Sequence, residues 1–272
     1  RSYGAIPAAV VGHSMGEVAA AYAAGGLGLE DAVRIIVARS RLLGEGQEGL
    51  GDAEAGAMAL VEFSAAEVAE LADRFPGVEP SVYAAPTHTT VGGPAEPVQK
   101  LVEYAESLGK MGRVLDVRGA GHTSAVDPLL GELAAELMGI EPHPLTTAVF
   151  SSVDKEAFYR AGHEPIHGVD YWTKGMRHAV WFTQAVKTAV DSGYTTFVEL
   201  APNPVALMSV AATAWAAGVP DATLIATLKR KESEPATFRA ALAELYVHGH
   251  PVDLAAVIGP GEYAPIPRTA FL

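Results

Sequence analysis

Cysteine is absent from the 272 residues, which excludes disulfides, thiolate metal sites and a cysteine nucleophile. Basic residues are scarce as well: 19 Lys and Arg stand against 32 Asp and Glu, a net charge of −13. A phosphate-binding surface needs a basic excess, so nucleic acid is excluded as a partner. An anionic coenzyme thioester would need a local cationic patch against that global field. No apolar run approaches the length of a membrane span, and no basic stretch followed by a hydrophobic segment opens the chain as a signal peptide does. The sequence therefore predicts a cytoplasmic protein without a membrane span. The glycine-rich acidic stretch GEGQEGLGDAEAG holds neither a G-x-G-x-x-G nor a Walker pattern and reads as a connector.

What is present begins with a core. Hydrophobic residues make up 49% and charged residues 19%, the balance of a globular chain long enough for one large domain with a small insert. The apolar run Ile6 to Val11 then ends at Gly12-His13-Ser14-Met15-Gly16, and an alanine-rich helical stretch follows at once. A strand that turns sharply into a helix, with a serine between glycines, is a nucleophile elbow. The turn lifts the hydroxyl off the sheet, and helix amides behind it can hold an oxyanion.

Further along, GEVAAAYAAGG gives a small-residue helix beneath the elbow, and Ala32, Ile35, Ile36 and Leu42 or Leu43 mark one face of a second. Residues 57–63, 65–74, 80–85, 89–92, 97–108 and 113–117 alternate as β-α-β-β-α-β, a ferredoxin-like insert. Beyond it the pattern predicts helices at 127–138, 171–192, 205–217 and 235–248, and strands at 146–153, 196–200 (buried) and 222–227. The predicted fold is α/β: a mostly parallel sheet with flanking helices, an α/β-hydrolase-like core, plus the insert. The divisions fall at 1–54 (first part of the core, with the elbow), 55–118 (insert), 119–258 (rest of the core) and 259–272 (linker).

A serine nucleophile needs a base, and nine histidines are available. His13, immediately before the serine, is directed differently by the backbone. His88, His143, His163 and His167 lie in loops bordered by proline or glycine and read as solvated. His122 follows the last strand of the insert in RGAGHTS, where the chain returns to the core and a cleft would form.

GHSMGEVAAAYAAGGL, the insert, the histidine after it, YWTKGMRHAVWF and FVELAPNPVAL together resemble the malonyl-CoA:acyl-carrier-protein transacylase family, in particular acyltransferase domains of polyketide synthases. GAGHTSAVDPLLGEL and EPIHGVDYW are most similar to mycobacterial synthases of the mycocerosic-acid type. The resemblance implies that Ser14 is the nucleophile, His122 the general base and Met15 an oxyanion amide. It implies further that Arg39 pairs with a malonyl carboxylate, with His13 and Gly121 also at the substrate. It needs no cofactor or metal: a coenzyme A thioester is the substrate, and the phosphopantetheine of an acyl carrier protein receives the acyl group. Other domains of a parent synthase would be the remaining partners.

The family orients its histidine through a backbone carbonyl, so a third carboxylate is not required. Two departures stand out. The family's upstream F-P-G-Q-G turn is not in this sequence, so a second oxyanion amide would come from a separate N-terminal segment. Gly175 stands where Asn or Gln is common. A small residue before the histidine, here Gly121, goes in the family with methylmalonyl over malonyl units. Two other readings are a serine hydrolase or thioesterase using Asp191 or Asp221 with His248 or His250, and a non-catalytic scaffold piece of a synthase, suggested by the proline-rich Tyr263 to Pro267.

Overall fold

The computed structural model describes residues 1–48, 51, 55–155 and 157–261. Contacts divide the chain into two units, residues 8–197 with 205–224, and residues 1–7, 198–204 and 225–272.

The larger unit starts with strand β1 (Ala9–Val11), the elbow, and helices α1 (Gly16–Ala23) and α2 (Leu29–Glu45). α2 buries Ala32, Ile35, Ala38, Arg39 and Leu42, the three- and four-residue spacing of one helical face. Full burial of Ile35 and Leu42 stabilises the unit by about 1.5–3 kcal/mol each. Arg39 is the one charged side chain on that face, and it has to be explained by function.

Next come β2 (Ala57–Val61), α3 (Ala65–Glu70), β3 (Glu79–Ala85), β4 (His88–Gly93), α4 (Ala95–Ser107) and β5 (Gly112–Val114). The four strands form an antiparallel sheet in the order β3-β4-β2-β5, the ferredoxin-like order. Ser64 and Glu67 close a capping box at the start of α3, satisfying amides that the helix leaves unpaired. α4 turns Val98, Leu101, Val102 and Ala105 onto this sheet.

The predicted helix at 127–138 instead opens as a 3-10 turn, Ser124–Leu129, around Pro128 and becomes α5 (Leu130–Glu136) only afterwards. Proline lacks the amide that an α-helix would need there. β6 (Ala148–Phe150) pairs parallel with β1 and antiparallel with β7 (Phe158–Tyr159). The three-stranded core sheet is thus mixed, with one parallel and one antiparallel pairing. The β6–β7 connection is too short for the crossover that parallel neighbours require.

The helical stretch predicted over 171–192 is two helices, α6 (Val169–Arg177) and α7 (Phe182–Asp191). Between them the backbone is extended: Val180 bridges Val82 in parallel sense, with Val180 N–H to Ser81 carbonyl and Tyr83 N–H to Val180 carbonyl both at 2.9 Å. β8 (Thr196–Glu199) pairs with β9 (Thr223–Ala226), and α8 (Leu207–Ala216) lies between them in sequence. β8 is half-exposed rather than buried.

The smaller unit holds α9 (Glu234–Val247) and α10 (Leu254–Ile258). Ile225, Ala241 and Leu245 pack there with Ala5 and Val252. Residues 254–258, inside the predicted core region, thus form a helix that the sequence pattern had not marked. The proline-rich Tyr263 to Pro267 lies outside the described residues.

Candidate active site

Ser14 sits between β1 and α1 with φ of 54°, a left-handed conformation that costs a non-glycine residue energy and marks a built turn. A Cβ on Gly12 would collide with the backbone of Glu17, whereas one on Gly16 would meet nothing within 4 Å. The first glycine of the motif is therefore a steric necessity and the second is not.

His122 also has positive φ, 60°, and is 6% exposed. Its Nε2 lies 2.7 Å from Ser14 Oγ and its Nδ1 3.1 Å from the His178 carbonyl. A carbonyl only accepts, so Nδ1 carries the proton and Nε2 is the free lone pair facing the serine hydroxyl. Burial, and after it the charge of Arg39, pushes His122 from its ordinary 6.5 down to about 3. The imidazole is neutral at physiological pH and able to accept the serine proton.

Arg39 comes from the buried face of α2. Its Nη2 is 3.2 Å from Ser14 Oγ and 3.3 Å from His122 Nε2, its Nε is buried without a partner, and burial lowers it to about 10. It stays cationic at neutral pH. Among the described residues no carboxylate is ion-paired with it, and a buried unpaired cation is costly unless an anion joins it.

Met15 is the N-cap of α1. The amides of Gly16 and Glu17 bond to the carbonyls of His13 and Ser14, and the Met15 amide lies at the start of the helix. His13 is exposed, with its ring 4.8 Å edge-on to Phe182. Gly121 lines neither cavity described below, and a Cβ there would meet nothing within 4 Å.

Sequence reasoning missed two contributors. His178 serves through its carbonyl, which leaves no trace in side-chain identity. Glu17, 2% exposed, accepts from Ser152 N–H at 2.7 Å, Ser152 Oγ at 2.6 Å and Tyr171 OH at 2.8 Å. Its position three residues past the serine was the available signal. The solvated reading of His167 is corrected too. The ring is fully buried, stacked on Trp172, with neither nitrogen hydrogen-bonded.

Ser14, Glu17, Arg39, Val153, Trp172 and Gly175 line a cavity of about 10 Å³, room for a single water. His122 itself lines a cleft of about 440 Å³. Lys155, Lys174 and Arg177 line it, with Tyr83 and Trp181 stacked 4.4 Å apart. Lys174 pairs with Asp154, and Arg177 with Glu79 and Asp127. The Lys155 Nζ lies 5.3 Å from the Trp181 ring centre. Glu79 lines the cleft as well, so these carboxylates offset Lys174 and Arg177, and among the described lining residues Lys155 is the cation with no carboxylate partner. Among the described residues no cluster of three or more His, Asp or Glu could hold a metal, and no helix is long and apolar enough to cross a membrane.

An elbow serine bonded to a neutral histidine, beside an unpaired buried arginine, defines a serine-based group-transfer site. A profile described as acyl transferase domain matches residues 1–252, and the chain belongs to that family. It is 37% identical over 275 residues to a mycocerosic acid synthase-like polyketide synthase of Mycolicibacterium smegmatis, covering all of this chain and 12% of that protein. The acyltransferase domain from module 8 of the salinomycin polyketide synthase superposes with a TM-score of 0.85 at 33% identity, over 94% of this chain and 58% of that one. The acyltransferase domain of PpsC from Mycobacterium tuberculosis gives 0.75 at 31%, over 83% and 67%. These relatives are polyketide synthases or acyltransferase domains from them, and the chain spans about an eighth of the curated relatives' length.

Proposed function

We propose that this domain loads a malonyl-type extender unit, methylmalonyl in preference to malonyl, from coenzyme A onto an acyl carrier protein within a cytoplasmic multidomain synthase. His122 Nε2 takes the Ser14 proton, and Ser14 Oγ attacks the thioester carbonyl. The Met15 amide stabilises the tetrahedral oxyanion. Its collapse expels the coenzyme A thiolate, which receives the proton from His122, and leaves the acyl group on Ser14. A phosphopantetheine thiol then gives its proton to His122 and attacks the ester; the tetrahedral intermediate collapses by breaking the bond to Ser14 Oγ, which takes that proton back from His122, and the acyl group departs as the carrier thioester. Arg39 receives the free carboxylate of the unit, its guanidinium fork making two charge-assisted bonds. The open space at Gly121 accommodates the α-methyl, and the cleft beside His122, with Lys155 at its wall, takes the thioester arm. Residues 55–118 are the insert between the two core segments, 1–54 and 119–258, with 259–272 as a linker.

The observation that carries this reading is the 2.7 Å contact of Ser14 with His122 while Arg39 touches both. A hydrolase has no use for that cation. In the test, labelled methylmalonyl-CoA is added and then a phosphopantetheinylated carrier protein. The label should pass to the carrier thiol faster than it appears as free acid. Release as free acid at the same rate with and without carrier would favour hydrolysis instead.

A further inference from the structure

We infer that Glu17 is a positioning residue that holds the nucleophile and its base in register. Glu17 lies in the first turn of α1, the helix that starts at the elbow. Its carboxylate is fully enclosed and accepts two hydrogen bonds from Ser152, just past β6, and one from Tyr171 on α6. α6 ends at Arg177, and the next carbonyl, that of His178, holds His122 Nδ1. One carboxylate therefore ties the helix that begins at Ser14 to the helix that ends at the anchor of His122. Burying a carboxylate is unfavourable, and an apolar side chain of the same volume would fill the space without that penalty. What the carboxylate adds is a fixed distance between two elements that must meet to within a few tenths of an ångström.

This inference rests on the acyl-transfer reading for its effect on rate, although not for its effect on His122 itself. The test uses the full 272-residue chain with Glu17→Gln, which keeps the shape, and Tyr171→Phe, which cuts the tie to α6 together with the Tyr171–Ser151 hydrogen bond. The first readout is the His122 tautomer, from ¹⁵N spectra of the imidazole nitrogens assigned by difference from His122→Ala. The parent should hold the Nδ1–H form, and both variants should gain the Nε2–H form. The second readout is single-turnover acylation of Ser14 by labelled methylmalonyl-CoA, with and without His122→Ala. Each variant should lose about 10- to 100-fold when His122 is present and no more than about 2-fold when it is absent, since a residue acting through the base has nothing to position without it. An unchanged tautomer, or an equal fold-loss in both backgrounds, would overturn the inference and leave Glu17 a folding residue. If Glu17→Gln does not fold, Tyr171→Phe decides alone. If no protein takes up label, the acyl-transfer reading fails, and the tautomer comparison still decides the role of Glu17.

Discussion

The carbonyl of His178 accepts the Nδ1–H of His122 at 3.1 Å, and it is free to do so because α6 stops at Arg177 and the chain runs on beside β3. A backbone dipole here does the orienting task that a carboxylate performs in a Ser-His-Asp triad. The tautomer is fixed without a negative charge that would raise the histidine pKa. Ser14 Oγ already meets His122 Nε2 at 2.7 Å, so the proposed mechanism does not call on Asp191 or Asp221 with His248 or His250.

The pH profile follows from this. Burial and Arg39 disfavour the imidazolium, so His122 remains a competent base far below the pH at which an ordinary histidine, near 6.5, would protonate. Its folded value is about 3. Acylation kcat/KM measured from pH 4.5 to 8 should show no acid limb near 6.5. A limb between pH 6 and 7 that follows His122 would contradict the buried, neutral base.

Arg39→Ala should lower transfer of malonyl and methylmalonyl units by about 100-fold or more relative to acetyl, which has no carboxylate, because two charge-assisted bonds are lost. Arg39→Lys should rescue little, as an ammonium cannot supply the fork. Removing the cation also lifts one cause of the low His122 pKa, so the acid limb of the alanine variant should move upward. Equal loss for all three donors would reduce Arg39 to a packing residue.

Gly12→Ala and Gly16→Ala separate the two glycines of the elbow. The first drives a methyl into the Glu17 backbone and should cost about 1–3 kcal/mol, read as a lower Tm with lost acylation. The second has open space and a helical backbone, and should leave both nearly unchanged. The reverse order would show that the elbow geometry is not as described.

Much of this site was legible in the sequence, for identifiable reasons. Ser14 sits in a motif whose strand, turn and helix all have patterns of their own, and His122 follows a subdomain whose six elements alternate clearly. Arg39 was legible only through the family resemblance, since an arginine between Arg34 and Arg41 on a helix looks solvated. Glu17 resembles an ordinary acid in a first helical turn, and its burial depends on β6 and α6, far away in sequence. His178 acts through its backbone. Alternation of helix and strand suggests parallel pairing, which β1 and β6 show, while the short β6–β7 connection forces an antiparallel pair that the pattern did not mark.

His167 should shape acid stability. Burial lowers it to about 4 against roughly 6.5 when unfolded. Between those values the unfolded chain binds the extra proton, so its contribution to stability falls as pH drops from about 6.5 toward 4, by about 1.4 kcal/mol per pH unit at most. His167→Leu should reduce the slope of that part of the stability-against-pH curve measured by urea unfolding, without abolishing it, since His122, lowered to about 3, contributes in the same window. An unchanged slope would show that His167 protonates without cost in the folded protein.

Gly121→Phe should depress methylmalonyl use more than malonyl use, by about 10- to 200-fold in their ratio, the worth of a methyl in a pocket. Competition between the two thioesters reads this directly. An unchanged ratio would place the discriminating wall elsewhere, with Val153 and Gly175 the next residues to test.

The central claim is that Ser14, activated by His122, carries the acyl group. Labelled methylmalonyl-CoA followed by peptide mass spectrometry tests it most directly. The account predicts a single acylated residue, Ser14, no label in Ser14→Ala, and acylation slower by about 100- to 10,000-fold in His122→Ala. Label that persists in Ser14→Ala, or an unchanged rate in His122→Ala, would contradict it.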